Sequence, residues 1–433
     1  MPHLVLFLLL LLLAPALRAQ DVDVLQSARA DVERLAAPEM KGRGYLFDGH
    51  LRAAAYIRER FAVIGVDSFP GGYYQRFAIQ VNEFPGAPVL RVNGAGLEPG
   101  RSFLPDEICG SGAIEDAGAP VMAGSGLILR SRGIDDFHGR PVRGSVVVID
   151  EKLPEAIASD KGIDRRLLAL DTRVGNAMMY GAGAVLVLVD RLTYGKYGEP
   201  ADIPVFNVLR SALPDSIGSI ACSVENAYQE ITTQNVLGYI RGTEHPERVL
   251  LLTAHYDHIG AFGSVYFPGA NDNASGVAML LSLARHFREN PPAYSVAFVA
   301  FSGEEAGLFG SRYFAEHPAL DLASVRFLLN IDMAASGTDG ITAVAGETFP
   351  EEFKLLEESA NRAGVADVRK RENAPNSDHY PIVSRGVRGF YVYPFTGYQP
   401  YHHIDDLPGT LQWDVFSRLR VIFISFLNGL QKD

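Results

Sequence analysis

Val249-Leu-Leu-Leu-Thr-Ala reads as an unbroken apolar strand that stops at His255. Two further runs have the same shape. Ser295-Val-Ala-Phe-Val-Ala-Phe leads into Ser302-Gly303-Glu304-Glu305, and Val325-Arg-Phe-Leu-Leu-Asn-Ile leads into Asp332. Helical stretches near Ser275 to Glu289 and Gly307 to Glu316 separate the three runs. Strand-helix alternation of this kind predicts an α/β fold with a mixed, mostly parallel sheet covered by helices. Ligands in open α/β sheets sit beyond the carboxyl ends of the strands, so three such endings should converge on one crevice.

Working outward from that core, Asp21 to Phe69 reads helical, with Leu35, Ala53, Ile57 and Phe61 apolar and Gly65 near a helix end. From about Pro88 to Asn235 the character changes to short β-rich runs broken by Gly, Pro and Asp, such as Gly126-Leu-Ile-Leu, Ser145-Val-Val-Val-Ile and Ala184-Val-Leu-Val-Leu-Val. The expected organisation is a leader at 1–19, a helical lead-in at 20–87, an inserted module at 88–235 and a catalytic part at 236–433.

The leader rests on Leu4 to Leu13 followed by Ala14-Pro-Ala-Leu-Arg-Ala19, an apolar core too short for a permanent bilayer helix with a small residue at the cleavage point. It predicts export to the periplasm or the medium, with no stable membrane span once the leader is removed. At 433 residues the chain exceeds what one core usually serves, which agrees with a composite. A formal charge of -12 without a Lys/Arg cluster excludes nucleic acid as a partner. Only Cys109 and Cys222 are present, so any metal site must use His and carboxylates, and the two thiols are either bridged or buried and free.

Each candidate site residue has a structural reading and a chemical one. His255 with Asp257 two residues on could be a metal ligand with its orienting acid, or a strand-end histidine paired for structure. His258 reads as structural. Asp272, in Gly269-Ala-Asn-Asp-Asn-Ala-Ser-Gly, could cap the following helix or bridge metals. Adjacent Glu304 and Glu305 would repel unless a cation is near, although a helix N-terminus also welcomes acids. Asp332 lies in an apolar context where an acid is costly to bury unless paired or metal-bound. Tyr401-His402-His403-Ile-Asp405-Asp406 supplies two candidate nitrogens with two acids downstream. Tyr380, Tyr398 and Tyr401, with Tyr266, Phe267 and Phe395, are candidate pocket walls.

Six segments together resemble the zinc aminopeptidases of metallopeptidase family 28: His255-Tyr-Asp-His, Gly269-Ala-Asn-Asp-Asn-Ala-Ser-Gly, Gly303-Glu-Glu-Ala-Gly-Leu-Phe-Gly-Ser, Asn330-Ile-Asp-Met, Ser377-Asp-His and Tyr401-His-x-x-x-Asp. Their order and spacing match from roughly Val236 to the C-terminus, with the Ala28 to Phe77 lead-in. The resemblance implies two Zn²⁺ bridged by Asp272. Glu305 and His402 would hold the first, His255 and Asp332 the second, with Glu304 as general base. His402 is preferred over His403 because the family histidine follows a Tyr and precedes an acid by four, here Asp406. Asp257 and Asp406 would support the ligands from behind, and peptide or protein N-termini would be the substrates. The insert resembles a protease-associated domain in Val142-Arg-Gly-Ser-Val-Val-Val-Ile, Gly181-Ala-Gly-Ala-Val-Leu-Val and Ile203-Pro-Val-Phe-Asn-Val. The competing readings are a glutaminyl cyclase, a carboxypeptidase using Arg369, Lys370 and Arg371, and a non-catalytic binding protein on the same scaffold.

Overall fold

The computed structural model describes residues 23–194, 199–337, 340–395, 397–398 and 400–432. The expected leader at 1–19 lies outside them. The lead-in forms two helices, α1 (23–35) and α2 (Gly49–Ile64), separated by a tight turn through Pro38–Arg43 where the continuous helical reading fails. Lys41, Gly42 and Arg43 all take left-handed backbone there. At Gly42 a Cβ would sit 2.2 Å from the Gly260 carbonyl oxygen, so only glycine lets the turn approach that closely.

Eight strands form the main sheet: β1 (Tyr74–Glu83), β2 (Ala227–Ile240), β3 (His245–His255), β4 (Tyr294–Phe301), β5 (Val325–Ile331), β6 (Gly340–Val344), β7 (Asp367–Arg371) and β8 (Gly389–Pro394). Their spatial order is β1-β2-β4-β3-β5-β8-β6-β7. The central ladders β4–β3, β3–β5 and β5–β8, and the edge ladder β6–β7, are parallel. The other ladders, β1–β2, β2–β4 and β6–β8, are antiparallel. The sheet is thus mixed and mostly parallel, as expected.

Alternation along the central strands explains why they read as continuous apolar runs: both faces are covered. Leu250, Leu252, Val296, Phe298, Phe327 and Leu329 pack on the side of α1, α2, α3 (Gly276–Glu289), α5 (Pro350–Arg362) and α7 (Trp413–Gly429). Leu251, Ala297, Val299 and Leu328 pack on the opposite side, against Phe314 of α4 (Phe309–Glu316) and Ile382 of α6 (His379–Val383). Phe426 of α7 meets Phe327 and Phe390 edge-on and stacked, at centroid separations of 5.4 and 6.2 Å. No helix among the described residues is long and apolar enough to cross a membrane.

β1 and β2 form an antiparallel ribbon from Tyr74↔Val236 to Glu83↔Ala227, and the insert hangs from its end. β2 therefore runs unbroken through the junction expected at 235/236, and residues read as the end of the helical lead-in supply β1. The insert holds its own sheet, in which Val146–Asp150, Ala184–Val189 and Val205–Leu209 are parallel neighbours, and a smaller antiparallel sheet built on Ile220–Val224. Cys109 and Cys222 are both buried free thiols in its core. That core also takes Phe84, Ile259, Phe262 and Phe267, so the insert is packed onto the main-sheet part rather than tethered to it. Two insert arginines reach the loop that carries His402. Arg101 pairs with both oxygens of Asp405 at 3.2 Å, and Arg191 Nη2 donates to the Tyr401 carbonyl at 3.0 Å.

Candidate metal centre

The sheet order β4-β3-β5 sets three functional endings side by side at the carboxyl edge. β3 delivers His255 in the middle, β4 leads to Glu304 and Glu305 on one flank, and Asp332 follows β5 on the other. The loop before α3 brings in Asp272, and the loop between β8 and α7 brings in His402. His255 Nε2 lies 3.3 Å from Asp272 Oδ1 and 3.3 Å from Asp332 Oδ1. His402 Nε2 lies 3.2 Å from Asp272 Oδ2 and 3.0 Å from Glu305 Oε2. Asp272 thus turns one oxygen to each histidine. Ligand-capable atoms of His255, Glu304 and Asp332 lie within 4.8 Å of one another, and so do those of His255, Asp272 and Glu305.

The electrostatics are those of a cation site. Burial alone would depress the His255 imidazole, but Asp332, Glu304 and Asp272 override it and hold it well above its ordinary range. His402 behaves alike, burial being overridden by Glu305 and Asp272. The Asp272 carboxyl would be raised by burial, yet its contacts with His255 and His402 hold it well below the usual carboxylate range. Glu304 differs. Burial pushes it well above that range, and Glu305, Asp378 and Asp332 add like charge against the opposing pull of His255. Carboxylates that draw protons onto these imidazoles would draw a metal cation as well. Imidazole nitrogens and carboxylate oxygens suit zinc, and Asp272 Oδ2, buried with the 3.2 Å approach of His402 Nε2 falling short of hydrogen-bond geometry, is an oxygen with ligating capacity to spare.

Supporting contacts hold the cage in register, and here two expectations are corrected. Asp257 does not orient His255 through its carboxylate: His255 Nδ1 lies 3.2 Å from the Asp257 carbonyl oxygen and 3.9 Å from Oδ1. The chain leaves β3 at His255, so the two-residue strand period no longer applies beyond it. The Asp257 carboxylate instead accepts from Tyr45 Oη at 2.7 Å and from the Glu304 and Glu305 amides at 3.2 and 3.3 Å. Asp406 likewise supports Asp272 rather than His402, accepting from the Asn271 and Asp272 amides at 2.8 and 3.0 Å. A relay from Thr253 through Asn330 to Ser377 ends on Asp332 Oδ2 at 3.0 Å. His403 stays outside the cage, its Nδ1 3.5 Å from Asp405.

Two residues were missed by the sequence reading. His258, read there as structural, is fully buried with Nδ1 2.7 Å from Glu305 Oε1, and so orients that acid. Arg43 is also fully buried. Its guanidinium donates to the carbonyls of Tyr256, Leu35, Pro268, Gly269 and Asp272 at 2.7–3.2 Å, clamping the Asp272 loop. Gly269 accommodates the clamp, since a Cβ there would lie 2.5 Å from Arg43 Nη2. The only sequence hint was an arginine set between Gly42 and Gly44.

A cavity of about 290 Å³ covers the cage, walled on its apolar side by Met333, Tyr391, Tyr393 and Tyr401. Of the four tyrosines and two phenylalanines proposed as walls, only Tyr401 lines it, and its ring stacks on His402 at 3.9 Å. Tyr398 instead donates to Asp406 at 2.7 Å, and Tyr380 is partly buried in α6.

The sequence profile described as Peptidase family M28 matches residues 235–427, the span that supplies every cage residue. Aminopeptidase YwaD of Bacillus subtilis is 27% identical over 239 residues, covering 52% of this chain and 51% of that protein. A protein of Leptosphaeria maculans named "Probable zinc metalloprotease" is 34% identical over 204 residues, covering 42% and 47%. The chain therefore spans about half the length of these curated relatives. The solved structure of BSAP, a zinc aminopeptidase from Bacillus subtilis, has the same fold, with a TM-score of 0.68 at 18% identity over 94% of this chain and 95% of that one. Fold, matched span and relatives agree that residues 235–427 are similar to peptidase family M28.

Proposed function

We propose that this chain is an exported aminopeptidase that uses two zinc ions to remove N-terminal residues from peptides. The observation that carries the reading is Asp272, whose two oxygens face His255 and His402 separately, an arrangement that would let one carboxylate serve two cations. Glu305 and His402 lie on one side of it, and His255 and Asp332 on the other. Zinc, when bound, supplies a Lewis acid that polarises a peptide carbonyl and acidifies water.

The chain's own residues do the rest. Glu304 stands at the cage without an imidazole contact of the kind that occupies Glu305, and its raised proton affinity suits a group that takes a proton from water and returns it to the leaving amine. Surplus carboxylate charge around the cage suits a free α-ammonium, which is the feature that separates an N-terminus from the middle of a chain. The 290 Å³ cavity has room for about one substrate residue, and its tyrosines exclude water from the rest of the site. The names of the relatives, an aminopeptidase and a zinc metalloprotease, support the same reading. Export rests on residues 1–19 of the sequence.

The test is zinc analysis together with a tetrapeptide offered free and N-acetylated. We expect close to two zinc ions per chain and release of the first residue from the free peptide alone. Shortening from the carboxyl end, cleavage of the acetylated peptide, or cyclisation of an N-terminal glutamine without shortening would each overturn the assignment.

A further inference from the structure

A second, larger cavity of about 760 Å³ begins at the cage, where it shares Glu304, Glu305, Asn376 and Tyr401 with the smaller one, and extends to the insert. Its far wall is built by the insert alone. Asp106 and Glu107 come from the segment after Phe103–Pro105, Asp171 from the first turn of the helix Leu170–Met179, Asn207 from the strand Val205–Leu209, and Tyr194 from the loop after Ala184–Val189.

Every polar group at this end can accept a hydrogen bond, and most of that capacity is unused. The side chains of Glu107 and Asp171 have neither a hydrogen bond nor an ion pair among the described residues. Asn207 donates to Asp106 at 2.8 Å, which leaves its own Oδ1 buried without a partner. Tyr194 is 3% exposed, packs on Phe262 and Phe267, and its hydroxyl is likewise buried and unpartnered. Burial holds the Asp106 carboxyl above its usual range and pushes that of Glu107 up to about 7, where Asp106 and Asp171 add like charge. Buried polar groups normally find partners, and a wall of unanswered acceptors asks for a donor-rich cation. The cation on the cavity's lining, Arg312, belongs to α4 on the catalytic side.

We infer that the insert end of this cavity is a subsite for a basic side chain, lysine or arginine, carried by the part of the peptide downstream of the bond that is cut. The inference rests on the aminopeptidase reading above. The smaller cavity takes the N-terminal residue, and the larger one, which shares Glu304, Glu305, Asn376 and Tyr401 with it, takes the remainder of the peptide towards Asp106, Glu107 and Asp171. The insert thereby determines which peptides are processed, without touching the reacting bond.

The experiment uses the zinc-loaded full chain and peptides of the form Leu-Ala-Ala-Ala-amide in which the second, third or fourth residue is replaced by Lys or by Glu. At one or more positions the Lys peptide should exceed the Glu peptide in kcat/KM by about tenfold at low salt, falling several-fold in 0.5 M salt as screening weakens the contact. In the Glu107→Gln/Asp171→Asn double variant the same ratio should drop to about threefold or less; Asp171 is exposed, so its replacement leaves packing intact. Should the double variant fold poorly, the salt dependence of the unaltered chain still decides. Lys and Glu peptides cleaved equally at all three positions, alongside normal cleavage of the alanine peptide, would overturn the subsite while sparing the aminopeptidase reading. A ratio untouched by the double variant would do the same. Failure to cleave any peptide would overturn both.

Discussion

Two buried arginines, one in each half of the molecule, do the same local job with different consequences. Arg43 binds only backbone carbonyls, five of them, beneath the metal cage. Arg173, 3% exposed in the insert, also binds only carbonyls, those of Leu168, Ser125, Asp150 and Glu151. Each replaces a missing strand or helix partner for loop backbone that would otherwise be buried unsatisfied. What differs is the loop that is held. Under Arg43 it carries Asp272, and the surrounding charges of Asp406, Asp272, Asp257 and Glu305 partly offset the cost of burying the guanidinium. Under Arg173 it carries no cage residue. The same kind of hydrogen bonding therefore holds a loop of the candidate site in one region and only shape in the other.

The largest effect should come from the cage itself. Asp272→Asn keeps the volume but removes the shared charge, so zinc content and kcat/KM should both collapse, the latter by at least about a thousandfold. Glu304→Ala should lower kcat by about a hundredfold or more with zinc retained, as metal analysis of the purified variant would record. If both variants lose zinc, Glu304 is a ligand and not a base. Next come the two arginines. Arg43→Met and Arg173→Met should each destabilise the fold by ~3 kcal/mol in urea unfolding, since both strand buried carbonyls. Only Arg43→Met should also weaken zinc affinity, by about ten- to a hundredfold in a chelator competition. Equal zinc affinity in the two variants would erase the distinction drawn here. The smallest effect belongs to Arg101→Ala, which removes an exposed contact to Asp405 beside His402. A change in kcat/KM below about threefold is expected, growing no larger at high salt.

The legible part of this molecule was the part whose cause is local. Apolar runs ending in His255, Glu304-Glu305 and Asp332 announce buried parallel strands, and topology does the converging. The reading went astray where the partner is distant. Tyr74–Glu83 alternates Phe77, Ile79 and Val81 inward, a strand pattern in itself, but its partner β2 lies some 150 positions later. His258 stood next to a histidine already assigned, and nothing in its neighbourhood points to Glu305, 47 residues on. Asp257 and Asp406 were marked as supports for histidines and instead support backbone amides, because short acids beside a tight turn reach amides more readily than rings. Tyr391 and Tyr393 line the small cavity from a strand that reads as ordinary core.

The paired ends of β1 and β2 have an architectural consequence. Glu83 and Ala227 face each other across the ribbon, so a short hairpin could in principle close the chain where the insert now departs. Such a graft would leave the eight-stranded sheet whole, yet it would take away Arg101 and Arg191, the moorings of the loop that presents His402. Excision is topologically easy and chemically expensive, and a shortened version of this chain would need a new brace for that loop before it could set His402 beside Asp272 and Glu305.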